Sequence, residues 1–344
     1  MFASIQRRVV LACVAIVVLA LLGITVVNFV VMRDATRTST TRELDALAQS
    51  HADGIASWVK QQKAIVAALA PATAASDPVP FLVQAQKSGG LVSAYAGFPD
   101  KRMLFDVPQQ LPEGYDPTGR PWYKAAEAAQ APVLTAPYAD AATKRLIVTF
   151  ANAVRGGSGV VAVVASDVFI DDVSKAVASI KPTPSGLAFL VDKAGQVIAH
   201  PDTQWVLKPA TALSPALDAA TLTAAAQAGG AWVDTRLGDQ DYLLRGAAVP
   251  GTEWTLVTAA HAGEALAHMS ALLRVAAGAL VLMAVLAAVA ATGAVGSMLK
   301  GMARVRDAMH QIGQGEADLT LRLPDHGQDE IAQIAQAFNR FTNK

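Results

Sequence analysis

The apolar and polar positions of this 344-residue chain change period several times, and each period marks a different kind of element. From Val9 to Met32 no charged residue interrupts the apolar run. About 20 such residues cross a hydrocarbon core of roughly 30 Å as a helix, so the run predicts a membrane span over 9–32. A second uncharged run, Val275 to Met298, predicts another over 275–298. Between them Leu44, Leu47, Ile55, Trp58, Val59, Ile65, Ala68 and Leu69 recur at roughly helical spacing up to Pro71, which predicts a stalk helix over 33–70. Beyond Pro71 the texture changes to short apolar runs punctuated by Pro and Gly: Leu91 to Tyr95, Arg145 to Phe150, Val160 to Ala165, Phe189 to Val191 and Trp254 to Val257. These read as strands. They fall into two clusters divided by Lys181-Pro182-Thr183-Pro184, which predicts two small α+β modules in tandem, a membrane-distal one over 71–180 and a membrane-proximal one over 185–263.

After the second span, Met302, Val305, Met309 and Ile312 step by three, four and three, and Ile331, Ile334, Phe338 and Phe341 repeat that spacing. Two such seams on one chain enclose a core poorly, so 299–344 predicts a parallel four-helix bundle formed by a homodimer. Charge supplies the orientation. Arg7 and Arg8 precede the first span, and Lys300, Arg304 and Arg306 follow the second, so both ends, including residues 1–8, are expected in the cytoplasm and 33–270 outside it. In a Gram-negative host that outer segment lies in the periplasm, anchored in the inner membrane.

Lys plus Arg equals Asp plus Glu at 28 each, so the overall balance gives no reason to expect nucleic acid as a partner. The lone Cys13 lies in the first apolar run and excludes an intrachain disulfide or a cysteine-based metal or redox motif. No nucleophile elbow, His-x-x-x-His pair or Gly-rich phosphate loop marks the outer segment, so neither an enzyme, a metal site nor a cofactor is expected. His200 beside Asp202 has no ligand-spaced partner, and Asp192-Lys193-Ala194-Gly195 ahead of it reads as a hairpin turn.

The densest chemistry lies in Gly114-Tyr115-Asp116-Pro117-Thr118-Gly119-Arg120-Pro121-Trp122-Tyr123, followed by Tyr138, Asp140 and, at a strand end, Asp167. It predicts a loop leading into a short helix. An Arg fork takes both oxygens of a carboxylate and an adjacent indole N–H adds a directed donor, so Arg120 and Trp122 suit an anion. Phenol faces and carboxylates attract an ammonium, so Tyr123, Tyr138, Asp140 and Asp167 suit a cation. Together these groups suit a small zwitterion such as an α-amino acid. A plain alternative has Arg120 paired with Asp116 or Asp140 to fix the loop, and Trp122 and Tyr123 as module core.

This order of helix, strands, Tyr115 through Tyr123 and the Val-Val-Ala-Ser-Asp167-Val168 strand end resembles the double-Cache sensor domain of bacterial chemoreceptors. It is similar in particular to the amino-acid-binding subgroup, whose motif is supplied here by Tyr115, Arg120, Trp122, Tyr123, Tyr138, Asp140 and Asp167 in order. The resemblance implies that Arg120 and Trp122 hold the ligand carboxylate, that Tyr123, Tyr138, Asp140 and Asp167 surround its amino group, and that Tyr115 completes the pocket. The connector Gly313-Gln314-Gly315-Glu316-Ala317-Asp318-Leu319-Thr320, with Asp329-Glu330 opening the second helix, resembles the HAMP linker, although Leu299-Lys300-Gly301 stands where that family usually carries a proline. The resemblance implies a methyl-accepting chemotaxis receptor, dimeric through stalk and HAMP helices. A histidine kinase or diguanylate cyclase input half would read the same up to Lys344. No such catalytic domain, and no methyl-accepting hairpin, occurs before it, so the output and its signalling partners are expected beyond that residue.

Overall fold

The computed structural model describes residues 5–157, 159–227, 230–313, 323 and 330–341. It divides into two compact units, residues 36–267 and residues 1–35 with 268–344. Helix α1 (Ile5–Ala68) runs without a break through the position where span and stalk were expected to meet.

In the unit of residues 36–267, α1 is followed by α2 (Val79–Gly89), β1 (Ser93–Gly97), β2 (Met103–Phe105), α3 (Pro121–Ala128), β3 (Val133–Leu134), β4 (Tyr138–Ala139), β5 (Leu146–Gly156), β6 (Gly159–Phe169) and α4 (Ile170–Ala178). The strands form an antiparallel sheet in the order β2-β1-β6-β5-β3, with β4 also paired to β5. A second antiparallel sheet, β8-β7-β11-β10-β9, follows the Pro-punctuated boundary. It comprises β7 (Leu187–Asp192), β8 (Val197–Ala199), β9 (Val233–Leu237), β10 (Gln240–Ala248) and β11 (Trp254–His261) with α5 (Ala210–Leu213), α6 (Ala219–Ala225) and α7 (Ala262–Ala265). The expected β7–β8 turn forms: the Asp192 carboxylate accepts from the backbone N–H of Ala194 and Gln196, and Gly195 takes φ +76. His200 is buried, its Nδ1 accepting from the Asp202 N–H at 3.0 Å, and burial depresses its pKa.

Side chains alternate across a strand, so each sheet has two distinct faces. On the first sheet Val148, Phe150, Val164 and Ala162 turn to one face, and Thr149, Ala151, Val163, Ala165 and Asp167 to the other. The first face is packed by α1, the second by α3. The buried seam of α1 is Thr40, Leu44, Ala48, Ala52, Val59, Gln62 and Val66, with Leu69 buried just past its end, while Ala68 is exposed and Leu47 only partly covered. Close helix–sheet approach explains Ala48 and Ala52, small residues that a search for large apolar side chains passes over. One core joins Ala48, Val59 and Val66 of α1 to Phe150 and Ile170 of the first sheet's module and to Leu190, Ile198 and Leu256 of the second. Arg245 on β10 adds a polar clamp: it is 1% exposed, paired with Asp45 of α1, and donates to the carbonyls of Ala231 and Gln227.

In the other unit, α8 (Ala267–Gly313) carries the second apolar run and continues past it, and α9 (Glu330–Phe341) follows. Two helices, from Arg8 and from Leu273, are long and apolar enough to cross a membrane. Their large side chains are bare, Leu11 at 67% exposure and Val275 at 71%. Val305 of α8 packs with Leu323, Ala335 and Phe338, and Asn339 brackets Leu323 by accepting from its N–H and donating to its carbonyl. Met302, Met309 and Ile334 remain exposed. The expected connector 314–320, Asp329 and the side chains of Ile312, Ile331 and Phe341 lie outside the described residues.

Candidate functional site

Local rules build the loop that carries the motif. Asp116 Oδ1 accepts from the Thr118 N–H and hydroxyl at 2.9 and 2.7 Å, and its Oδ2 pairs with Lys101 at 2.9 Å. The Thr118 and Lys101 contacts pull its pKa down to about 2. Pro117 opens a single 3-10 turn and Pro121 opens α3, each where a missing N–H costs nothing. Arg120, extended between them at φ −81 and ψ 151, is therefore pointed by two prolines.

Asp116 is thus engaged by Lys101, and Arg120 forms no carboxylate ion pair among the described residues. Arg120 Nη2 instead donates to the Ala139 carbonyl at 2.8 Å, beside Asp140, while its Nε is buried without a partner. Its guanidinium carbon lies 5.4 Å from the Tyr138 ring centre and 6.0 Å from that of Tyr115.

Across the loop, Asp167 closes β6. Thr149 stands directly opposite on β5, and Tyr95 on β1 is its diagonal neighbour on the same face. Both hydroxyls donate to Asp167 Oδ1, Thr149 at 2.5 Å and Tyr95 at 2.7 Å, and Tyr138 shares a hydrogen with Thr149 at 2.5 Å. No hydrogen bond ends on Asp167 Oδ2 among the described residues. Burial raises the Asp167 pKa to about 7, against the pull of these two donors and of Arg120, with Asp140 adding like-charge repulsion. Burial also acts to raise Asp140, but the Thr143 hydroxyl and the N–H groups of Thr143, Ala142 and Ala141 outweigh it and hold Asp140 below the usual range. Tyr138, Tyr115 and Tyr95 are all raised, burial first, so they stay neutral donors.

Trp122 and Tyr123 occupy the first turn of α3 at 1% and 2% exposure, stacked edge-on with ring centres 5.5 Å apart. Both belong to the core on this face, as the plain alternative anticipated. Trp122 nevertheless reaches the motif, because its indole is among the groups that oppose the upward shift of Tyr115. Tyr123 differs: after burial, the charges that raise its pKa are Glu127, Asp100 and Asp116 rather than Asp140 or Asp167.

The structure therefore brings Tyr115, Arg120, Trp122, Tyr138, Asp140 and Asp167 around one corner of the sheet. It adds residues that the sequence pattern did not single out, Tyr95 and Thr149 as donors to Asp167 and Gly97 as the gap for Trp122. A Cβ on Gly97 would lie 2.6 Å from the Trp122 ring. Their signal is strand register, which only the paired sheet displays.

A family model for the Cache domain matches residues 29–269, and one for the HAMP domain matches residues 294–344. The methyl-accepting chemotaxis protein PscA of Pseudomonas syringae pv. tomato is 26% identical over 98% of this chain and 54% of its own length. The chain thus spans about half the length of the curated relatives it matches. Among solved structures, the ligand-binding domain of the Pseudomonas fluorescens chemoreceptor CtaA in complex with L-isoleucine superposes with TM-score 0.60. At 23% identity, over 69% of this chain and 98% of that one, the likeness is one of fold. The ligand-binding domain of the Pseudomonas aeruginosa amino acid chemoreceptor PctC, in complex with GABA, superposes with TM-score 0.53 at 27% identity, over 64% of this chain and 99% of that one. Two antiparallel sheets on a long helix, with the motif at the edge of the first, complete the match: the chain belongs to the Cache-domain family and carries a HAMP domain behind it.

Proposed function

We propose that the chain is the sensory half of a bacterial chemoreceptor, anchored in the inner membrane by residues 9–32 and 275–298, with 33–270 in the periplasm and a distal-module site for an amino acid. The observation that carries this reading is that one corner of the sheet presents both a half-buried carboxylate, Asp167, whose Oδ2 has no hydrogen bond among the described residues, and a guanidinium, Arg120, whose Nε has none among them. Opposite charges set around one lining, each with an unused hydrogen-bonding position, fit a ligand that bears both an ammonium and a carboxylate.

In this reading Arg120 and Trp122 hold the carboxylate. Asp167 and Asp140 take the ammonium, with Tyr138 and Tyr115 closing the pocket and Tyr123 packed in the core behind Trp122. The ligand is bound and released unchanged. Binding favours one packing of the distal module, shifts the second span relative to the first and resets the HAMP helices in a homodimer. A differential affinity worth about 1–3 kcal/mol is enough for such coupling. Exposed Met302, Met309 and Ile334 support a partner copy at the HAMP helices. The output is a chemotaxis signalling segment; a kinase or cyclase output is the alternative.

Titration calorimetry of the whole chain in lipid nanodiscs against the common L-amino acids and GABA tests the site. Binding of one or more of them, abolished in Arg120→Ala, supports it. Equal heats for wild type and Arg120→Ala, or binding only of ligands that lack an amine, would overturn it.

A further inference from the structure

Behind the sheet, on the face away from Asp167, α1 and α4 part around a cavity of about 460 Å³. Successive strand residues face opposite ways, so Val168, next to Asp167 on β6, is part of its floor. Its walls are Ile55 and Trp58 of α1 and Val173 and Val177 of α4. No Arg or Lys lines it, and its single carboxylate, Asp172, is half-exposed and paired with Lys175 at 3.0 Å. An anion therefore meets no Arg or Lys there, and the carboxylate already has a cation beside it. Besides Asp172, three polar side chains stand among the apolar ones: His51, Ser179, whose hydroxyl donates to the Ala176 carbonyl, and Gln62, 6% exposed, whose Oε1 is buried and without a partner among the described residues. A buried amide oxygen lacking a donor is unfavourable and stands out in a native core.

We propose that this cavity is a second binding site, for a neutral aromatic small molecule whose hydrogen-bond donor meets Gln62. The volume falls in the range of about 300–1,000 Å³ usual for small-ligand pockets, and mainly apolar walls with a few orienting polar groups are their usual composition. Trp58, already edge-on to Phe150 at 5.4 Å, supplies aromatic surface. Because α4 starts at Ile170, three residues after Asp167, a molecule wedged between α1 and α4 acts on the strand end that holds that carboxylate. The site is thus placed to tune the other from behind the sheet.

The test uses the whole chain in lipid nanodiscs, irradiated with the photoreactive phenol 4-hydroxybenzophenone and mapped by peptide mass spectrometry. Adducts are expected on the peptides holding Ile55 to Gln62 and Val173 to Val177, at least fivefold above those given by 4-methoxybenzophenone, which lacks the donor. Gly54 lines the cavity, and a Cβ there meets no atom within 4 Å, so Gly54→Leu fills the space without strain. It should cut labelling at least tenfold while the circular dichroism melt is unchanged or raised. In Gln62→Leu the preference for the phenol over the ether should vanish. Labelling confined to the apolar helices of 9–32 and 275–298, labelling indifferent to Gly54→Leu, or equal yields from the two probes in wild type would each overturn the proposal. So would efficient cross-linking of Ile55→Cys between two copies, which would assign the groove to a second chain.

Discussion

Thr149 and Asp167 face each other across β5 and β6, and the threonine hydroxyl is both donor to the aspartate and partner of Tyr138. Replacing it with valine keeps shape and removes both bonds. Backbone pairing of Thr149 with Thr135 is untouched, so the sheet should form. Loss of a hydrogen bond to a charged group is worth about 1.5–3 kcal/mol. Thr149→Val should therefore weaken ligand binding by roughly 10- to 100-fold and push the Asp167 titration above 7, both read from calorimetry across a pH series.

The raised Asp167 pKa sets two opposite pH trends. An ammonium needs the ionised carboxylate, so affinity should fall by up to about tenfold per pH unit below 7 and level off above it. Stability runs the other way. The folded chain holds a proton on Asp167 that the unfolded chain releases near the ordinary carboxylate value of 3.8, so this group lowers stability as pH rises from about 4 to 7. Chemical denaturation over that window should show stability falling less steeply with pH in Asp167→Asn than in wild type. Identical slopes would contradict the assignment.

Arg120 tests geometry rather than charge. Lysine preserves the positive charge but not the fork, nor the Nη2 bond to Ala139. Arg120→Lys should lose at least tenfold in affinity with little change in melting temperature, since the side chain is only half-buried.

Arg245 should behave as a purely structural residue. Its guanidinium is 1% exposed and matched by Asp45 and two carbonyls. Arg245→Ala leaves these acceptors unpaired and should cost about 3–5 kcal/mol. Asp45→Ala strands the buried cation instead. The double variant should be less destabilised than the sum of the two, a coupling that denaturant titration measures.

Much of the architecture follows from patterning alone. Val160 to Ala165 and Trp254 to Val257 are continuous apolar runs bounded by turns, and they form the central strands β6 and β11. The apolar stretch of α1 is equally plain, since the uncharged run from Val9 to Met32 reads as one continuous helix. Three features are not legible. The stalk seam uses Ala48 and Ala52, whose small size reflects the distance to a sheet far along the chain. Tyr95 lies 72 residues from Asp167, and only the register of β1 on β6 brings them together. Tyr123, adjacent to Trp122 in sequence, answers to a different set of carboxylates because one residue along a helix turns the side chain by about 100°.

The core that joins α1 to both sheets has a bearing on how such receptors diversify. Phe150 and Ile170 share one core with Leu190 and Leu256, so the side of each module turned to α1 is completed by the other, while the second sheet keeps a further core around Phe189, Val191 and Leu244. A graft that exchanges residues 71–180 by themselves would mate a foreign surface to the resident stalk. In the proposed reading, new ligand preferences are then reached most easily by point changes around Arg120 and Asp167, or by transplanting α1 and both sheets as one block.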